Sequence, residues 1–66
     1  MKLADLIKEK YPDVPFIGFY EEDKYGKPMP IYPDYTDEIL ETHSDREVDE
    51  VYYSAEKQTL VVKLID

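Results

Sequence analysis

The chain has sixty-six residues, no cysteine and a formal net charge of −8. A chain this short forms one small domain, residues 1–66, burying only about 60% of the surface its unfolded chain exposes. Without thiols it can hold no disulfide or thiolate metal site, and without clustered Lys and Arg it is not expected to grip nucleic-acid phosphates directly.

Residues 2–10 are expected to form a helix, because Leu3, Leu6 and Ile7 recur at the spacing of a single apolar face. Pro12 disfavours helical geometry at Tyr11 and should end it there. Asp5, Lys8 and Glu9 interrupt the apolar residues of MKLADLIKEKYPD, so this opening is not expected to be a signal peptide. No apolar run approaches the length of a membrane span, and the lack of cysteine suits a reducing compartment. The expectation is a soluble, cytoplasmic protein without membrane association.

VPFIGFY, residues 14–20, predicts an interior strand, since aromatic and β-branched residues occupy both alternating faces. Gly18 is expected where another chain segment approaches closely. EEDKYGK, residues 21–27, predicts a turn around Gly26. PMPIYP, residues 28–33, has two readings. Its alternating prolines lack N–H groups on one side only, which suits a protected edge strand, and the same composition suits an extended polyproline-like loop. TDEILET, residues 36–42, predicts a helix of one or two turns with Thr36 as N-cap and Asp37 and Glu38 at the positive end of its dipole. REVDEVYYS (46–54) and QTLVVKLID (58–66) predict a C-terminal antiparallel hairpin. Leu60, Val62 and Leu64 should share one face of its second strand. The fold class expected is α+β: a short N-terminal helix packed on a three- or four-stranded antiparallel sheet ending in a C-terminal β-hairpin.

The charge is unevenly spread. Residues 1–33 carry six acids and five bases, and residues 51–66 carry two of each. DYTDEILETHSDREVDE, residues 34–50, carries eight acids against Arg46 alone, so a net −7 sits in this one segment. Glu41, His43, Asp45, Glu47 and Asp49 fall at every second position. In an extended chain they would share one face at spacings of about 6.6 Å, on the scale of phosphates along a nucleic-acid strand. The competing reading is a solvated face that keeps a small apolar domain soluble.

Other chemistries fit poorly. A calcium loop could take Asp45, Glu47, Asp49 and Glu56 at its ligand positions, but Glu50 stands where the sharp turn needs glycine. His43 is the one histidine, and no Gly-rich phosphate loop, cysteine nucleophile or framed Ser/His/Asp set accompanies it. No enzyme activity, metal or cofactor is expected. Tyr20, Tyr25, Tyr32, Tyr35, Tyr52 and Tyr53 exceed what so small a core can bury; they suit either half-buried rims of the sheet or a binding surface. Tyr25, Tyr32 and Tyr35, in or beside the loops flanking the acidic segment, are the aromatic contacts expected.

The build, with a short helix opening MKLADLI and a DREV stretch leading into a hairpin that ends TLVVKLI, resembles small acidic proteins encoded by bacteriophages and other mobile elements. Among those are anti-CRISPR proteins that block nucleic-acid-binding enzymes by presenting carboxylates in place of phosphates. The resemblance is one of build, and no residue role follows from it.

The function expected is that of a non-enzymatic acidic interaction protein, an inhibitor that imitates nucleic-acid charge. Asp34, Asp37, Glu38, Glu41, Asp45, Glu47, Asp49 and Glu50, with Tyr25, Tyr32 and Tyr35, would meet a basic partner such as a nucleic-acid-binding enzyme. The alternative is a small structural or regulatory module that self-associates as a homodimer, its acids serving solubility only.

Overall fold

A computed structural model describes residues 1–65. The elements run α1 (Leu3–Lys10), β1 (Phe16–Phe19), β2 (Asp34–Tyr35), α2 (Thr36–His43), β3 (Val48–Ser54) and β4 (Thr59–Leu64). The α+β class, the N-terminal helix and the C-terminal hairpin are as expected. Asp66, the last residue of the expected second hairpin run, lies outside the described residues.

The sheet has four strands in the order β2-β1-β4-β3 and is mixed, which corrects the expectation of an antiparallel sheet. β1 pairs antiparallel with β2 and β3 antiparallel with β4, but β1 and β4 run parallel, with Ile17 beside Leu60 and Gly18 beside Val61. The cause lies in burial. β1 and β4 are the two strands with apolar residues on both faces, so both take central positions. The chain leaves β1 on one side through β2 and returns to β4 from the other side through β3. The long connection that parallel neighbours require is supplied by β2, α2 and β3.

Leu3, Leu6 and Ile7 of α1 pack with Ile17, Leu60 and Val62 on one face of the sheet, and Ile39 and Leu40 of α2 close over the same core. Backbone bonds fasten α1 to the start of β3, with the Leu3 amide donating to the Arg46 carbonyl at 2.9 Å. A bulge between Val48 and Glu50 shifts the register of β3 against β4. The hairpin turn closes through Gln58, whose φ of 51° places a side-chain-bearing residue in left-handed geometry.

PMPIYP contributes no strand; only Pro28 makes an isolated bridge, to Glu22. The segment instead crosses the outer face of the sheet. A Cβ built on Gly18 would collide with Ile31 Cγ2 and come within 3.7 Å of Pro33 Cα. Gly18 is therefore a point of close approach, as the sequence predicts.

Thr36 is the first residue of α2 rather than its cap. Tyr35 occupies the cap position, and no side chain bonds there. The Thr36 hydroxyl donates instead to the Val14 carbonyl at 2.7 Å, and its amide to Pro15 at 3.1 Å, pinning α2 to the approach of β1.

Candidate functional site

All eight acids of residues 34–50 are exposed. They do not form a phosphate-spaced row. Glu41 and His43 lie on α2, Asp45 in the turn after it, Glu47 directly before β3 and Asp49 at its start, so the extended comb of alternating acids is not present. The every-second-residue pattern crosses a helix, a turn and a strand, and only in the strand does it mean a shared face.

The fold divides the acids into two groups. Asp34, Asp37, Glu38 and Glu41 occupy β2 and the outward side of α2, while Asp49 and Glu50 lie on β3 and Glu47 directly precedes it. β2 and β3 are opposite edges of the sheet, three strand spacings or about 14 Å apart. α2 and the turn holding Asp45 connect the two groups.

Compensation differs between them. The described residues hold two ion pairs, both on the β3 group: Glu47 with the N-terminal ammonium at 3.0 Å and Asp49 with Lys63 at 4.0 Å. Asp34, Asp37, Glu38 and Glu41 have no such pair. The Glu38 carboxyl is held above its usual range, first by a hydrogen bond shared with Asp34 and then by the negative charge of Asp34. The like charge of Asp34 makes ionisation of Glu38 less favourable, and no ion pair among the described residues offsets it. Asp37 and Glu38, in the first turn of α2, gain some compensation from the helix dipole. The acids of β3 have a structural use as well, because charge along an exposed edge strand discourages addition of another strand.

The three tyrosines are exposed, Tyr25 at 75%, Tyr32 at 83% and Tyr35 at 62%. Tyr35 stacks on Phe16, with ring centroids 5.4 Å apart, and sits next to Asp34. Tyr32 precedes β2, so it and Tyr35 flank the uncompensated group. Tyr25 stands apart on a turn that Asp23 organises: its carboxylate accepts from the Tyr25 and Lys27 amides at 2.8 and 2.9 Å, and Lys24 Nζ lies 5.0 Å from the ring centre. His43 packs on Phe19, with ring centroids 4.9 Å apart, and Nδ1 lies 2.6 Å from the Thr42 hydroxyl. Among the described residues no group of three or more His, Asp or Glu is arranged to hold a metal. Among the described residues no helix is long and apolar enough to cross a membrane.

A groove of about 570 Å³, which the sequence reading missed, opens on the outer face of the sheet. Tyr20, Glu22, Glu50, Tyr52, Val61 and Lys63 line it. The Tyr20 hydroxyl donates to Glu22 Oε1 at 2.9 Å, and this bond to a carboxylate raises the phenol's pKa above its ordinary value. Period-2 spacing pairs Glu50 with Tyr52 and Val61 with Lys63, but only the parallel pairing of β1 with β4 carries Tyr20 to the same place. Comparison of the chain with family models, curated proteins and solved structures finds no match.

Proposed function

We propose that this protein is a non-enzymatic acidic interaction protein that docks on the basic surface of a nucleic-acid-binding protein and competes there with nucleic acid. One observation carries the reading: Asp34, Asp37, Glu38 and Glu41 form an exposed anionic patch with no cation of the described residues within ion-pair distance. Charge held this way attracts a basic partner over a distance and speeds encounter. Tyr32 and Tyr35 beside it offer rigid area with polar tips to hold a complex. The competition rests on the field of a patch, since the acids are not spaced like phosphates.

The test is capture of basic nucleic-acid-binding proteins by the immobilised chain at low and high salt. Retention is expected at low salt, with release by high salt and by added DNA or RNA. Retention should be lost in the variant carrying Asp34→Asn, Asp37→Asn, Glu38→Gln and Glu41→Gln. Retention unchanged in that variant would dismiss the patch as the interface.

A second reading has its own support. Tyr52 and Tyr53 are exposed at 56% and 46% on the edge strand β3. A homodimer joined there would leave the acids as solubilising charge. Light scattering at micromolar concentration separates the two, because the self-association reading requires a dimer that added salt does not dissolve.

A further inference from the structure

The outer face of the sheet is covered over β1 and the start of β4 and opens toward Lys63 and β3. Ile31 and Pro33 lie on Gly18, and beyond them the groove begins. Register sets Tyr52 opposite Val61 and Glu50 opposite Lys63. The Tyr20 amide bonds to the Val62 carbonyl at 2.8 Å, fixing the third side of the groove. Val61, only 4% exposed, is an apolar floor between two tyrosines.

We propose that this groove seats an arginine side chain of a basic protein partner. The inference rests on the proposed function and names a contact that the acidic patch does not supply. An arginine presents a flat, weakly hydrated guanidinium that stacks on an aromatic ring and forks onto a carboxylate, behind a stem of methylenes. Tyr52 is more than half exposed and offers the ring. Glu50 offers the carboxylate: it faces Lys63 in register, but the Lys63 ammonium lies 4.0 Å from Asp49 and makes no ion pair with Glu50. Glu22 spends Oε1 on the Tyr20 hydroxyl, which leaves its second oxygen open at the rim. Val61 receives the stem. Two carboxylates against one ammonium, in a chain of net charge −8, repel an anionic guest and equally a second copy of this chain. A lysine guest is a poorer fit, because its compact and strongly hydrated ammonium gains little from the rings.

The experiment is a titration of the full chain, followed by backbone amide NMR, with capped hexa-arginine and hexa-lysine peptides at equal salt. Shift changes are expected at Tyr20, Tyr52, Val61 and Lys63, with the arginine peptide bound at least about threefold more tightly. Glu50→Gln should weaken it by about fivefold. Lys63→Gln removes the competing ammonium and should tighten binding beyond the Lys8→Gln control, which makes the same change in net charge on α1. A damaged fold would not produce that gain. Equal affinity for the two peptides, or Lys63→Gln no better than Lys8→Gln, overturns the proposal. So do shift changes confined to residues 34–41, although that result leaves the acidic-patch reading standing. Groove shifts with a Glu50→Gln loss support the proposal even if the fourfold patch variant still captures basic proteins. In that case the patch reading is the one that fails.

Discussion

Replacing Gly18 with alanine tests how the 28–33 segment lies on the sheet. Gly18 is not among the positive-φ residues, so its backbone accepts alanine without strain. Restricting the unfolded chain would by itself stabilise the variant by about 0.4–1 kcal/mol. The new methyl, however, would occupy the place of Ile31 Cγ2 and lie 3.4 Å from Thr59 Cγ2. The obstructing atom sits on a branched Cβ, so relief needs the backbone of residue 31 to lift. Overpacking of this kind costs about 1–3 kcal/mol, leaving a net loss of about 1–2 kcal/mol. For a domain of this size that lowers Tm by roughly 5–15 °C. Ile31→Ala alone should cost about 1–2 kcal/mol, since the side chain is only half-buried. The double variant should be more stable than the two losses together imply, by about 1 kcal/mol, because the obstructing methyl is gone. Urea unfolding of the four proteins gives the cycle. A Gly18→Ala protein as stable as the parent, or losses that simply add, would mean that the segment does not rest on β1.

Thr36→Val keeps the shape of a buried side chain but removes the hydroxyl bond to Val14. It should cost about 1 kcal/mol in urea unfolding, and no loss would show that α2 is anchored otherwise. Gln58→Gly relieves left-handed geometry in the hairpin turn and should stabilise by about 0.5–1 kcal/mol; destabilisation would contradict the assigned turn. The raised Glu38 pKa sets a pH dependence. A carboxyl whose folded pKa lies above its unfolded value favours the fold when protonated, so its contribution is present below the unfolded pKa and is lost as pH rises through the folded one. Tm should therefore rise as pH falls from about 7 toward about 5, and Glu38→Gln should flatten that rise.

Much of the fold is legible in the residues, and the parts that are not have specific causes. The spacing of Leu3, Leu6 and Ile7 specifies α1 and its buried face, and alternation specifies β4 with Leu60 and Val62 inward. Strand order is set by competition for the centre of the sheet, a comparison among strands that no single stretch reveals. Pairing chain neighbours antiparallel gives the β3–β4 ladder, but the antiparallel partner of β1 is Asp34–Tyr35 rather than residues 28–33, and the parallel ladder between β1 and β4 is missed. Thr36 looks like a cap from its neighbours alone, but its hydroxyl is claimed by Val14, twenty-two residues away. The exposure of the acids follows from their chemistry, while their division between two sheet edges follows from topology. The groove joins the β3–β4 hairpin to Tyr20 and Glu22, which follow β1 far back in the chain, so Tyr20 and Tyr52 could not be joined beforehand.

Docking through Asp34 and Glu38 requires a patch of carboxylates that no cation among the described residues neutralises. Melting the protein near neutral pH across a series of sodium chloride concentrations addresses this directly, with no partner required. Screening of like charges predicts a Tm that climbs as salt is added, and a smaller climb in the fourfold patch variant. A Tm that falls with salt would mean that attractive pairs dominate the surface, contrary to the arrangement on which the docking proposal stands.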